Sequence, residues 1–264
     1  MYIPMGAILN SIDIFFLVLT RMTGLFIIAP IFGRKNIPVY FKVGLAFFMA
    51  VLLVNTQNPG ITINYINLWG FAILVIKEML VGITIGYVSF IVFTAIYVAG
   101  QLIDMQIGFG MVNVMDPISN IQVPITANFY YIICMMLFLV GNGHHMLINA
   151  LFDSFKIVPL GTAIFSGALM DNILRIFGNI FSIGFRISSP IIAAVLVTDI
   201  ALGIMSRAVP QLNVFVVGMP LKIIIGLLVM VLTFPSFISI VEGLTSDAGK
   251  EMLRFLNDMR QVGV

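Results

Sequence analysis

The sequence predicts an all-α, polytopic membrane protein with long, broken and hairpin helices, and three observations carry that prediction. The first is composition. Of 264 residues, 61% are hydrophobic and 9% charged, whereas an average soluble chain of this length carries roughly 65 charged side chains. With 13 Lys and Arg against 11 Asp and Glu, there is too little polar surface to cover a water-soluble globule. The second is a set of apolar stretches that approach the ~20 residues a helix needs to cross ~30 Å of hydrocarbon. The third is that several of those stretches have the wrong length for a simple crossing. A net charge of +2 implies no polyanionic partner, so nucleic acid is not expected. The single cysteine, Cys134, allows neither an internal disulfide nor a thiolate metal cluster. A secreted disulfide scaffold and a cytosolic α/β enzyme are poorly supported.

The amino terminus, Met1-Tyr2-Ile3-Pro4, has no basic residue and so lacks the n-region of a signal peptide. The first apolar stretch, Ile8 to Pro30, is expected to be retained as a span, although Asp13 and Arg21 lie inside it. Only Met79–Ala99 and Ile223–Val241 reach spanning length as they stand. Thr126–Val140 is shorter. Val43–Val54 and Ile187–Thr198 must recruit polar flanks such as Lys42 and Arg186, pair as hairpins, or sit outside lipid. Ile66 to Ala99 errs the other way. Read as one helix it would be ~51 Å long, more than the hydrocarbon core even with a 40° tilt. Lys77-Glu78 lies near its middle, where lipid exposure would cost several kcal/mol. Either a helix boundary near Gly70 puts the pair at the headgroups, or the long helix packs on protein.

Prolines mark most segment ends, as helix breaking predicts. Pro190 and Pro235 fall within apolar stretches and are expected to kink or interrupt them. A weak division near Lys156–Asn172 separates two more hydrophobic halves. In the tail, Leu244, Ala248, Met252, Phe255 and Met259 recur at helical spacing with charges between them. That is an amphipathic helix, docked on its own protein or lying at the membrane surface.

Orientation follows from basic loops. Arg34, Lys35 and Lys42 follow the first span, while Asn55–Asn64 carries no charge. The first loop and the tail with Lys250, Arg254 and Arg260 are therefore expected in the cytoplasm, with the amino terminus outside. That needs an odd number of crossings, yet hydropathy offers about six. At least one apolar segment is thus expected to be broken or re-entrant, which survives at membrane depth only when buried in protein or lining a cavity.

Chemistry is sparse. The adjacent His144 and His145 would point ~100° apart on a helix, which suits one metal poorly; a structural pair at the Gly141-Asn142-Gly143 turn fits better. No G-x-S-x-G, Walker A or H-E-x-x-H motif occurs, so no enzyme site, cofactor or metal is expected. Gly82-x-x-x-Gly86 has the small-residue spacing of close helix packing. The segment Gln101–Pro124 is more unusual. It carries Asp104 and Asp116 without a basic residue, glycines at Gly108 and Gly110, and large apolar side chains at Met105, Phe109, Met111 and Met115. Two readings stay open: a buried connecting loop, or a deformable seal of flexible methionines on glycine hinges. Asp13, Arg21, Lys77, Glu78, Arg186, Asp199 and Arg207 interrupt apolar stretches and need partners or water. Asp199 and Arg207 are ~80° apart on a helix, so contacts with other subunits suit them better than each other.

Taken together, several stretches resemble the FliR family of the flagellar type III export apparatus, with the injectisome SctT family as its nearest relative. They are Arg21-Met-Thr-Gly24, Pro30-Ile-Phe-Gly33, Ile37-Pro38, Lys77-Glu78 with Gly82 and Gly86, Gly100-Gln-Leu-Ile-Asp104-Met-Gln-Ile-Gly108-Phe109, and Asp116-Pro117. The run continues with Gly143-His144-His145, Ser154-Phe155, Pro190, Arg207-Ala-Val-Pro210-Gln211-Leu-Asn213-Val-Phe215 and Gly218-Met-Pro220-Leu-Lys222. Each is weak alone; in this order they cover nearly the full length.

The resemblance implies a non-enzymatic subunit packed with FliP-like and FliQ-like subunits in a helical hetero-oligomeric export gate. A FlhB-like component and unfolded flagellar proteins are further implied partners, and the bacterial inner membrane at the flagellar basal body is the implied location. Residues 1–160 would be a FliP-like part, residues 161–243 a FliQ-like hairpin, and residues 244–264 an amphipathic cytoplasmic tail, with no large fused domain. Gly108, Phe109, Gly110, Met111, Asp116 and Pro117 map onto the family's plug-forming loop. Asp104, Arg186 and the other interrupting charges are candidate buried or intersubunit contacts. A stand-alone secondary transporter of a small solute is the rival from a different class; an injectisome gate subunit or a purely structural scaffold are the others.

Overall fold

The computed structural model describes residues 5–34, 37–56, 65, 67–109, 124–211 and 213–260. Among them there are seven helices and no strand. They are α1 (Met5–Ile28), α2 (Val39–Thr56), α3 (Leu68–Ile107), α4 (Ile125–Val140), α5 (Gly143–Ile157), α6 (Gly167–Ala208) and α7 (Val214–Asp258).

Local chemistry sets most helix ends. α1 stops two residues before Pro30, and α2 begins directly after Pro38, because proline disfavours helical backbone before it but suits a first turn. Asn67 starts α3 by accepting the Gly70 N–H at 3.0 Å, and Ser166 accepts from Leu169 at the head of α6. α3 ends at Gly108, whose φ of +97° is open to glycine at little cost. Between α4 and α5, Asn142 takes the left-handed conformation at φ 56°, which asparagine tolerates better than most residues.

α3 is one helix of 40 residues that starts at Leu68, close to Gly70, and runs past Ala99 to Ile107, with Glu78 buried in protein. Val43–Val54 grows into α2, and Ile187–Thr198 is absorbed into the 42-residue α6. Neither Pro190 nor Pro235 interrupts its helix. Each loses one backbone hydrogen bond, and the flanking apolar turns are long enough to carry the helix through. Among the described residues, four helices are long and apolar enough to cross a membrane, in α1, α3, α6 and α7; α4 and α5, taken together as one broken span, would make five. The six suggested by hydropathy included Val43–Val54, but α2 is too short to qualify.

The chain forms two units. The first comprises Met1–Ile91, Asn142–Ile176 and Thr245–Val264. In it α1 packs on α2, with Phe15 against Phe47 edge-on at 5.4 Å. α1 also meets the first half of α3 at very close range. A methyl group on Gly82 would overlap the Arg21 carbonyl, and one on Gly24 would lie 2.6 Å from the Met79 carbonyl. The small-residue spacing is therefore a packing seam. The end of α7 docks in the same unit: Ala248, Met252, Phe255 and Met259 are buried, and the Ile164 N–H donates to the Met259 carbonyl at 3.1 Å. Asn172 donates to Asp258 at 2.5 Å, and Arg175 pairs with Glu251 at 2.8 Å. The tail's amphipathic pattern thus serves docking on its own protein.

The second unit comprises Val92–Gly141 and Phe177–Leu244. Its core stacks Tyr130 on Phe237 at 4.3 Å and sets Phe93 edge-on to Tyr131 and Phe138. Gly184 brings α6 onto α3, where a methyl would meet the Ala95 carbonyl at 3.3 Å.

Candidate functional site

Within the second unit, the last turn of α3 and the first turn of α4 form the two ends of the 108–124 connection. Pro124, at the head of α4, offers no side-chain acceptor to the helix's first amides. Asp104 supplies it from α3. Its carboxylate accepts from the Thr126 N–H at 3.0 and 3.1 Å and from the Ala127 N–H at 3.3 Å. Asp104 is 5% exposed, so these bonds replace the water it has lost, and its charge faces the positive end of the α4 dipole. The Asp104 carbonyl also accepts from the Gly108 N–H at 3.2 Å. Both ends of the connection are therefore fastened to one residue. Gly100 makes the approach possible, because any Cβ there would overlap the Ala127 backbone. Ile107, in the same last turn, lies against Gly226 of α7, which a methyl would crowd.

Of the sequence-predicted seal, Met105 is 75% exposed beside this base, and Gly108 and Phe109 are half-buried at its mouth. Gly110, Met111, Met115, Asp116 and Pro117 lie outside the described residues.

A separate charge cluster sits within the first unit. Arg21 and Glu78 are both fully buried, and Arg21 Nε donates to Glu78 Oε2 at 2.6 Å. Arg21 Nη1 donates to Ser154 Oγ at 3.2 Å and to the Val158 carbonyl at 3.0 Å. The guanidinium carbon stands 4.2 Å from the Phe155 ring centroid, a cation–π contact. Glu78 Oε1 accepts from the Gly161 N–H at 2.8 Å, where φ is +80°. One ion pair thus ties α1, α3, the end of α5 and the 158–161 turn. Lys77, next to Glu78, takes no part: it is half-buried and forms no ion pair among the described residues.

The remaining charges divide. Asp199 pairs with Lys222 of α7, both half-buried, so it has a partner within its own chain. Arg186 and Arg207 are exposed without an ion pair among the described residues. Tyr65 donates to Asp13 at 2.9 Å, and that hydrogen bond, with the carboxylate's charge, holds the phenol above its ordinary pKa. His144 and His145 stack at 4.2 Å, and no third His, Cys, Asp or Glu joins them in a metal-holding group among the described residues. Sequence reasoning missed Ser154, Phe155, Val158, Gly161 and Lys222 as partners, because each is brought in by tertiary contact alone.

The buried ion pair and the doubly fastened loop base each tie separate segments of the chain together. Residues 12–248 match the family described as bacterial export proteins, family 1. The chain is 34% identical to the flagellar biosynthetic protein FliR of Bacillus subtilis, over 92% of this chain and 94% of that protein. It is 29% identical to FliR of Escherichia coli K12, over 90% and 91%. Similarity extends to the secretion system apparatus protein SsaT of Salmonella typhimurium, 32% identical over 40% of this chain and 41% of the relative. Matched from residue 12 to residue 248 and aligned with FliR over 92% of its length, the chain belongs to family 1 of the bacterial export proteins.

Proposed function

We propose that this chain is a FliR-type subunit of the export gate of a flagellar type III protein secretion apparatus, required for flagellum assembly. Its partners in this reading are FliP-like and FliQ-like subunits, a FlhB-like component and the unfolded flagellar proteins that pass through, with the gate seated in the cell membrane at the basal body. The observation that carries it is the 34% identity to FliR over 94% of that relative. The match to SsaT covers less than half of either chain, which favours the flagellar system over an injectisome. The division into a FliP-like residues 1–160, a FliQ-like 161–243 and a cytoplasmic tail at 244–264 belongs to the same reading.

The mechanism is passive gating, with energy supplied by other components. The 105–117 segment blocks the pore at rest and moves aside when a chain enters. The Asp104 base supports this: a seal that must swing needs ends that do not, and both ends are fastened to one residue, the α4 end through the Asp104 carboxylate and the α3 end through its backbone carbonyl. Deleting Gly108–Met111 is expected to raise ion leak in membrane vesicles while still allowing assembly; unchanged conductance with normal export would refute the seal. The reading as a whole is tested in a Bacillus subtilis strain lacking its own FliR. Expression of this chain, with its native FliP-like and FliQ-like subunits, should restore hook-protein export and swimming. A chain that inserts, stays stable and restores neither would overturn it.

A further inference from the structure

Within the second unit, α6 presents two opposite faces. Ile180, Gly184, Ile187, Ile191 and Val195 are buried, and Gly184 marks where that face meets α3. On the far side, at spacings of three and four, run Asn179, Ser182, Arg186 and Ser189; the first three are exposed and Ser189 is half-exposed. Side chains so spaced share one face of a helix. Phe181 and Phe185, 63% and 59% exposed, flank the row.

Arg186 is the unusual member. The nearest charged residues along the chain are Arg175 and Asp199, ~16 and ~20 Å away along a helix, so it stands near the centre of a segment of spanning length. Both of those neighbours have acidic or basic partners inside the chain. Arg207, also exposed, lies in the last turn of α6, where a cation is favoured by the helix dipole. Arg186 has neither a partner among the described residues nor a helix end. An unpaired guanidinium at that depth costs several kcal/mol in lipid, and half a hydrocarbon thickness of ~15 Å is beyond comfortable reach for its side chain. The hydroxyls and amide beside it are small and polar, as at helix–helix contacts in membranes.

We propose that this face of α6 docks a transmembrane helix of another gate subunit, and that the docked helix places one Asp or Glu against Arg186. The charge fixes the chemistry of the occupant, and Ser182 and Ser189 let its backbone close in. The inference rests on the export-gate reading and adds to it the seat and the recognition chemistry of one partner.

The test is co-purification of the tagged chain with its native FliP-like and FliQ-like subunits from detergent-solubilised membranes. Wild type must first give one particle; if it does not, the export-gate reading fails, and this inference with it. Given that particle, Arg186→Glu should lower partner recovery at least about ten-fold, a loss of ~1.4 kcal/mol of association, while Arg186→Lys stays near wild type. To separate docking from misfolding, a photo-crosslinking residue is placed at Ser182 in the otherwise wild-type chain, with one at Leu228 as a control. The expected adduct from position 182 is a partner-subunit peptide carrying an acidic residue within an apolar stretch. An adduct with lipid alone, an adduct with a peptide lacking Asp and Glu, or undiminished recovery with Arg186→Glu would each overturn the proposal and leave the export-gate reading standing.

Discussion

Arg21 and Glu78 lose all contact with water, and what they gain is each other, one hydroxyl, two backbone groups and a phenyl face. Desolvating two charges is expensive enough that such a pair adds little net stability, yet removing one member strands the other. Glu78→Gln or Arg21→Ala is therefore expected to destabilise the protein by ~3–5 kcal/mol, read as a lower melting midpoint in detergent. The double substitution Arg21→Met with Glu78→Leu should recover most of that loss, and no recovery would mean the pair contributes through its charges. Asp104 is a different case, because a helix cap with charge–dipole support is worth ~1–2 kcal/mol. Asp104→Ala should cost about that much, with Asp104→Asn closer to wild type, measured as hydrogen-exchange protection of the Thr126 and Ala127 amides. That Arg21 and Glu78 need partners was legible in the sequence, because each interrupts an apolar run, whereas Asp104 stood out as a carboxylate in a segment with no basic residue. Their partners were not: Arg21 and Glu78 are 57 residues apart, and Asp104 meets its amides 22 residues away.

At the scale of single helices, the glycine pattern sorts into contacts and open positions. Gly82 and Gly100 sit where any Cβ would overlap neighbouring backbone, whereas Gly203 faces nothing within 4 Å. Gly82→Ala and Gly100→Ala should each force a helix shift costing ~1–3 kcal/mol. Gly203→Ala should stabilise by ~0.4–1 kcal/mol, since the substitution removes unfolded-state freedom at a helical site with space for a methyl. Equal melting midpoints for all three variants would refute the seam. Gly82-x-x-x-Gly86 announced close packing in the sequence; that its partner is the Arg21–Leu25 stretch of α1 came only from the fold. Helix ends were legible where a proline marked them, as at Pro30 and Pro38; the caps at Asn67 and Ser166 came only from the structure. At Pro190 and Pro235 the helix is not interrupted, since a proline's lost hydrogen bond competes with long apolar turns on either side.

At the scale of the molecule, the first unit draws on three separate stretches of chain, with the end of α7 among them. Cutting the chain after Leu244 would strip away Ala248, Met252, Phe255 and Met259, all buried, together with the Glu251 and Asp258 contacts. Burying one such large apolar side chain is worth ~1.5–3 kcal/mol, so the truncation should leave the first unit open to limited proteolysis. Resistance equal to that of the full chain would show the docking to be dispensable. The sequence by itself determined that the protein is helical, membrane-built and lacks a water-soluble surface, because composition, run length and helical period are local properties of the chain. It also foretold that the tail is amphipathic, but left open whether it docks on protein or on membrane. Only the tertiary structure decided that, along with which charges are tied inside the chain and which, like Arg186, are left facing outward. Pairing depends on which distant segments are brought within a few ångströms, and nothing in a local pattern specifies that.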